Sequence, residues 1–184
     1  MPFGGQFAFE GSKLLLENTF DGTQTLHVGL VRKRGTPDPV DEVINDETEM
    51  ADIEPGETLD DSYFEENDTG YDRMSVTNWN AVEAPDPPDE PEYGEYEGNK
   101  PAQITNAEAI EFGPWDTGHI DEDGNPTHTE EEVDPDEVIA VFVTNEETGY
   151  VGKFVAYQVI SMGKQVKEGE TLRIPEGRLV IQIN

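Results

Sequence analysis

The sequence predicts an all-β protein, an antiparallel β-sandwich of about seven strands with a short amino-terminal helix and long acidic loop insertions. Short runs rich in β-branched and aromatic residues recur along the chain, and clusters of glycine, proline, aspartate and asparagine bound them. Acidic residues gather between these runs. A length of 184 residues suits a single domain, residues 1–184, with a modest core.

The helix is predicted at residues 12–20. Ser12 is suited to cap its amino terminus, Leu15 and Leu16 supply a buried face, and Gly22 helps to end it.

The first strand is predicted at residues 25–31, where apolar and polar residues alternate. This pattern indicates a half-buried strand with Leu26, Val28 and Leu30 facing inward. His27 takes an outward position and is expected at the surface.

Six further strands are predicted at about residues 72–79, 103–112, 138–143 and 150–160 and on either side of residues 175–177. The run at 138–143 is continuously apolar, as is typical of a strand covered on both faces. The turn at residues 145–149 contains glycine and joins this strand to the next as a hairpin. The closing strands place Leu179, Ile181 and Ile183 on one face.

Acidic insertions are expected near residues 36–69, 80–101 and 116–135. Acids outnumber bases by 42 to 11, and the formal net charge is −31. Residues 1–35 carry three acids and four bases, and residues 151–184 carry three acids and five bases, so the two ends have net charges of +1 and +2. The middle section holds 36 acids and two bases, a net charge of −34.

Such a middle section repels itself in dilute buffer. In molar salt the screening length falls to about 3 Å, and most of this repulsion disappears. The acids are interleaved with apolar and aromatic residues rather than gathered in one tail. The composition therefore favours a protein adapted to brine over a mesophilic protein with a disordered acidic insert.

The composition also argues against several partners and compartments. Direct binding to nucleic acid needs a basic stripe, and the only basic run, residues 32–34, is expected to be a local neutralising patch. The absence of cysteine excludes disulfides and thiolate chemistry. The start of the chain lacks the basic region of a signal peptide, and no apolar run suits a membrane span.

Residues able to carry chemistry form no recognised motif. His27, His119 and His128 have neither i, i+2 nor i, i+4 spacing, so no metal site is predicted. The serines lack a nucleophile elbow, and the carboxylates are too numerous to single out a glycosidase-like pair. We predict a non-enzymatic protein with no catalytic residue, no cofactor and no metal.

Two features leave alternatives open. The loop at residues 121–125, Asp-Glu-Asp-Gly-Asn, offers oxygen ligands to Ca²⁺, but its glycine is fourth rather than sixth, which favours a tight turn. Trp79 and Trp115 are expected to pack in the core. Tyr93 and Tyr96, in a proline-rich loop, are the better candidates for contact with a partner or a sugar.

The order of motifs resembles that of the small β-sandwich proteins of tailed viruses known as tail-fibre or head-decoration proteins. The resemblance is carried by the Gly-Tyr-Asp-Arg step at residues 70–73 and by Gly-Glu-Thr-Leu-Arg-Ile-Pro-Glu-Gly-Arg-Leu at residues 169–179. It covers most of the chain outside the acidic insertions and implies no catalytic residues. The insertions here are longer and more acidic, as expected of a virus that infects a halophilic archaeon.

The resemblance implies a capsid decoration, spike or turret protein at the virion surface, assembled in the host cytoplasm. Expected partners are other virion proteins and further copies of the same chain. A tail-fibre or baseplate protein that contacts the host surface is an alternative. A halophilic carbohydrate-binding or adhesion module is a rival of a different class.

Overall fold

The structure is a computed structural model that describes residues 9–22, 25–33, 48–55, 63–82, 102–121, 123–125, 127 and 136–183. These residues form one α-helix, a short 3₁₀ helix and nine strands in antiparallel sheets, which confirms the predicted all-β, sandwich-like class. The elements are α1 (Phe9–Thr19), β1 (Leu26–Lys33), the 3₁₀ helix (Met50–Ile53), β2 (Tyr63–Glu65), β3 (Met74–Val76), β4 (Ala102–Thr105), β5 (Ile110–Phe112), β6 (Glu137–Thr144), β7 (Phe154–Lys164), β8 (Leu172–Ile174) and β9 (Val180–Ile183).

The chain divides into two compact units. The smaller unit comprises Met1–Gln24, Thr77–Ala109 and Pro175–Asn184, and the larger one comprises Thr25–Val76 and Ile110–Ile174. The assignment of residues 1–184 to a single domain stays a prediction.

A five-stranded antiparallel sheet dominates the larger unit. β1 lies at its centre, with β6 and then β7 on one side and both β2 and β3 on the other. The continuous apolar run of β6 is buried on both faces, as predicted. β1 is also buried along almost its whole length, so the prediction of a half-buried strand is wrong. The side chains on its second face are buried as well. His27 is only 8% exposed, contrary to its predicted place at the surface.

β2 lies inside the segment that was predicted as an acidic insertion, near residues 36–69. It pairs with the end of β1, while β3 pairs with the beginning of β1. Between these two short ladders the backbone N–H of Leu30 donates to the hydroxyl oxygen of Tyr71 at 3.0 Å. This side chain replaces a missing strand partner, because a buried backbone donor must be satisfied. Residues 34–47 and 56–62 lie outside the described residues.

The predicted hairpin is present as β6 and β7. The register between them shifts at two places, near Val143 and Thr144 and again between Val138 and Ala140. β7 therefore carries extra residues relative to β6 and bulges at both ends of a regular central section.

The single strand predicted at residues 103–112 is two strands, β4 and β5. Asn106 separates them: its side-chain amide donates to the carbonyl oxygens of Glu108 and Pro175 at 2.7 and 2.9 Å, and its oxygen accepts the N–H of Leu179 at 2.9 Å. β4 pairs with β9 and β5 pairs with β8. The two closing strands thus pair with other strands and not with each other, although Leu179 is buried and Ile181 and Ile183 are half-buried, as their shared face predicts.

In the smaller unit, α1 begins at Phe9, three residues before the predicted cap. Ser12 lies within the helix, so its assignment as the N-cap is wrong. Leu16 is buried, whereas Leu15 is exposed, contrary to the prediction for this residue. Gly22, with a φ of 77°, follows the end of the helix as expected.

Gly29 allows the core of the larger unit to pack closely against β1. A methyl group at this position would collide with the Phe142 ring and would lie 2.8 Å from the hydroxyl oxygen of Tyr71. Both side chains are held by other contacts, since Phe142 stacks on Phe154 and Tyr71 bonds to the backbone of Leu30.

We therefore expect Gly29→Ala to lower the free energy of unfolding by about 1–3 kcal/mol, the usual effect of overpacking a core. Gly152→Ala is the control, because the three atoms nearest to a methyl group there all belong to the exposed-loop side chain of Glu146 rather than to a core ring. Urea unfolding in molar salt measures both. Equal stability of the Gly29→Ala variant and the parent protein would contradict this account of the core.

Candidate functional site

A cluster of charged side chains is buried at the end of β1. The guanidinium of Arg32 lies 3.1 Å from a carboxylate oxygen of Glu66, 2.8 Å from one of Asp68 and 3.3 Å from one of Asp136. It also donates to the side-chain oxygen of Asn67 at 2.9 Å. The Arg32 side chain is 2% exposed, and none of the three carboxylates is more than 5% exposed.

His119 extends this buried network. Its Nε2 lies 2.6 Å from Glu66 Oε2, and its Nδ1 accepts the backbone N–H of Val166 at 3.4 Å. A ring nitrogen that accepts a hydrogen bond carries no proton, so this arrangement assigns the proton to Nε2, which donates it to Glu66. The backbone of His119 is fixed as well, because its N–H donates to the carbonyl of Val166 at 2.6 Å.

Glu66, Asp68 and His119 together offer three ligand atoms within 4.8 Å of one another, as a metal site would. Two ligands of one Zn²⁺ ion, each about 2.1 Å from it in tetrahedral geometry, lie about 3.4 Å apart. The separation of 2.6 Å between Nε2 and Oε2 is instead that of a short hydrogen bond. The other oxygens of Glu66 and Asp68 already face Arg32. The geometry is that of a hydrogen-bonded ion network.

Residues 32–34 were expected to be a local neutralising patch, and Arg32 and Lys33 do pair with carboxylates, Arg32 within a buried cluster and Lys33 with Glu137 at 3.2 Å. One sequence interpretation is corrected here. The segment around His119 was predicted as part of the insertion near 116–135, yet Gly118 and Ile120 both form β-bridges to Lys167. Sequence reasoning missed the cluster because its members are far apart in the chain. The available signal was the Glu-Glu-Asn-Asp run directly after an apolar pair at residues 63–64.

A second buried arginine holds the loop between β6 and β7. Arg73 donates to Glu65 from Nε at 2.7 Å and from a terminal nitrogen at 2.5 Å, a bidentate pair. Its terminal nitrogens also donate to the carbonyl oxygens of Glu146 and Gly149 at 3.2 and 2.9 Å. The guanidinium carbon lies 5.3 Å from the centre of the Tyr150 ring, within cation–π range. We call these contacts the Arg73 clasp.

The Arg73 clasp lines a shallow pocket of about 200 Å³. Within it, burial and the nearby charge of Glu65 raise the pKa of Tyr71 well above its usual value. The same two causes raise the pKa of Tyr150. Burial alone would lower the pKa of Arg73, but hydrogen bonds to Glu65 and its charge reverse this effect, and the pKa is raised. Tyr71 is therefore a neutral hydrogen-bond donor to Glu65, at 2.9 Å.

The loop at residues 121–125 is a tight turn, as the sequence favoured. One carboxylate oxygen of Asp121 accepts the backbone N–H groups of Asp123 and Asn125 at 2.9 and 2.8 Å. The side-chain amide of Asn125 also donates to both oxygens. These bonds from Asn125 lower the pKa of Asp121. They occupy the carboxylate within the turn itself.

The aromatic candidates have separate locations. Trp115 is buried in the larger unit, as predicted. Trp79 is half-buried in the smaller unit and packs edge-to-face on Phe20, with ring centroids 4.7 Å apart. Tyr93, Tyr96 and His128 lie outside the described residues, so the predictions that concern them stay predictions.

The longest run of the sequence without an acidic residue is 148–167, and it carries Lys153, Lys164 and Lys167. β7 lies within it. In contrast to the buried β1 and β6, β7 is half-buried or exposed at each described side chain. Six large apolar side chains are exposed among the described residues, and three of them belong to this run: Val151, Tyr157 and Val159. We call residues 148–167 the acid-free segment.

Comparison with known proteins gives no match among family models, curated proteins or solved structures. Within the described part of the chain, no helix is long and apolar enough to cross a membrane.

We expect Arg32→Met to lower the free energy of unfolding by about 3–5 kcal/mol, because it leaves three buried carboxylates without their shared cation. Arg173→Met is the matched control. Arg173 pairs with Glu111 at 3.2 Å, but both side chains are more than half exposed, so its loss costs about 1 kcal/mol or less. Urea unfolding in molar salt compares the two variants, and a similar loss from both would contradict the role given to Arg32.

The raised pKa of Tyr71 predicts an alkaline loss of stability. Below about pH 10 both the folded and the unfolded chain keep this proton. Above that pH the unfolded chain releases it while the folded chain retains it, so the free energy of unfolding falls as the pH rises. We expect Tyr71→Phe to be less stable at neutral pH but to lose less stability between about pH 9 and 11. Denaturant unfolding across this range tests the sign, and equal slopes would contradict it.

Proposed function

We propose that this chain is a non-enzymatic structural component of a tailed-virus particle, namely a capsid decoration, spike or turret protein exposed to high salt. The observation that carries the proposal is the division of charge. The middle of the chain holds a net charge of −34, whereas the two ends hold +1 and +2. A hydrated acidic surface can face brine while the less charged parts pack on neighbouring subunits.

The use of the buried polar groups supports a structural role. In the described part of the chain, both arginines that lie on buried carboxylates are bound within the framework, as the Arg32 network and the Arg73 clasp. Both ring nitrogens of His119 have hydrogen-bond partners. Side chains whose polar atoms all bond within the protein hold loops in place. A general base, in contrast, needs a nitrogen or oxygen that can reach a substrate.

The turn and strand motifs at residues 70–73 and 169–179, which resemble those of tailed-virus β-sandwich proteins, also support a place in a virus particle. In the structure the first of these contributes Tyr71 and Arg73, which hold the central sheet and the loop between β6 and β7. The second contains β8, which pairs with β5. The residues of both motifs therefore have structural contacts, as expected if the resemblance reflects a shared architecture.

The test is light scattering on a sizing column, with circular dichroism on the same samples, in molar potassium chloride and in dilute buffer. We expect a closed oligomer in molar salt that dissociates or unfolds when salt is removed, because the acidic surfaces then repel each other. A well-folded monomer in both conditions would contradict the proposal. Binding of such a monomer to a glycan array would favour the carbohydrate-binding alternative.

A further inference from the structure

We propose that the outward face of α1 is a self-association surface, on which α1 of one copy packs antiparallel to α1 of a second copy. The inference rests on the proposed function and assigns a partner to the weakly charged start of the chain. Residues 1–35, which contain α1, carry a net charge of +1, whereas the whole chain carries −31.

Burial distinguishes the two sides of α1. Leu16 is 1% exposed, Phe20 directly after the helix is 7% exposed, and the helix packs against β4. Leu14 and Leu15 lie on the opposite side and are 58% and 41% exposed. Asn18, one turn further along, is exposed as well. The outward face of α1 therefore consists of Leu14, Leu15 and Asn18.

This face is apolar where a surface helix is normally charged. Such a helix turns its apolar side chains to the core and its charged side chains to the solvent. In α1 the leucines at 14 and 15 are adjacent and exposed, and the third residue of the face, Asn18, is uncharged. Neighbouring exposed apolar side chains mark a contact surface. A second helix that covered both leucines would be held by the burial of their apolar area.

Charge identifies the occupant as a second copy in antiparallel orientation. Lys13 and Glu17 form one flank of the outward face, with Nζ and Oε1 3.7 Å apart. Their side chains are 35% and 50% exposed, so both can reach a partner. In an antiparallel pair, Lys13 of one copy lies opposite Glu17 of the second copy, whereas in a parallel pair like charges would meet. The face is therefore complementary to itself.

The contact is small, because a pair of eleven-residue helices buries less surface than the interface of a permanent oligomer. We therefore expect reversible association with a dissociation constant on the order of micromolar. Two identical helices that meet about a twofold axis make an isologous contact. Oligomers built on this contact contain an even number of chains.

Leu14→Glu tests the surface, and Val151→Glu is its control. Val151 belongs to the larger unit and is 94% exposed, so the control adds the same charge at an exposed apolar position outside α1. Glutamate is a good helix former, so α1 is expected to persist. Sedimentation equilibrium in molar potassium chloride measures the dissociation constant, and thermal unfolding checks the fold. We expect Leu14→Glu to weaken self-association at least about tenfold and Val151→Glu to leave it unchanged.

A double variant, Leu14→Ala with Leu15→Ala, removes apolar surface without adding charge. Alanine has the highest helix propensity, so a loss of association would come neither from an unfolded helix nor from repulsion. We expect this variant to associate at least about tenfold more weakly than the wild-type chain while its thermal unfolding stays unchanged. Association as strong as that of the wild-type chain would overturn the inference.

A charge exchange tests the antiparallel orientation. Lys13→Glu leaves two glutamates on the flank of α1, and Glu17→Lys leaves two lysines. Either variant alone sets like charges opposite each other, whereas a mixed pair sets glutamates opposite lysines. We expect an equal mixture to associate more strongly than either variant alone. Sedimentation equilibrium measures this at the lowest salt concentration at which all samples are folded, since molar salt screens the effect. A mixture that associates no more strongly would overturn the antiparallel pairing.

The outcomes separate this inference from the proposed function. An oligomer that Leu14→Glu and Val151→Glu leave intact, or weaken equally, overturns self-association through α1 but not the proposed function, and it leaves the face to another particle protein. A trimer or pentamer also overturns the α1 pairing alone, because an isologous contact cannot close an odd ring. A wild-type chain that stays a folded monomer in molar salt overturns both.

Discussion

The guanidinium of Arg32 is the interaction on which the larger unit depends. It joins the end of β1 to the segment after β2 and to Asp136, the residue before β6. Glu66 also bonds to the side chain of His119, whose backbone is hydrogen-bonded to Val166. Three stretches that are distant in sequence therefore meet at one buried cation, and Glu66 links two more to them. Buried ion pairs add little stability compared with apolar residues of similar size. They do raise the free energy needed to displace a loop, because displacement leaves a buried charge without its partner.

The large negative charge places a different constraint on the surface. Buried pairs such as those of Arg32 and Arg73 are little affected by salt, whereas repulsion between exposed carboxylates is strongly screened. Dissolved salt therefore acts mainly on the surface and on association between copies. The same constraint limits where two copies can meet. The longest run without acids, residues 148–167, contains β7.

The sequence predicts the elements that depend on local pattern. Apolar runs placed β1 and β6 within two residues of their bounds and β7 four residues too early, and the glycine-containing turn predicted the hairpin of β6 and β7. β2 was missed because Tyr63, Phe64 and Glu65 form a run of only three residues in an acidic context. Its carboxylate becomes buried only because Arg73 pairs with it. The buried network was missed for the same reason: an arginine is predicted at the surface unless its carboxylate partners, more than 30 residues away, are known. Charge pairing is a long-range property that periodicity does not encode.

The central claim is that the chain is part of a virus particle, and mass spectrometry of purified particles tests it most directly. Virus particles are collected from a saline culture of cells that carry the gene for this chain and are purified by density. Their proteins are quantified and compared with those of the soluble cell extract. The account predicts peptides of this chain in the particle band, at a fixed ratio to the major shell protein. Peptides confined to the cell extract, with none in the band, would contradict it.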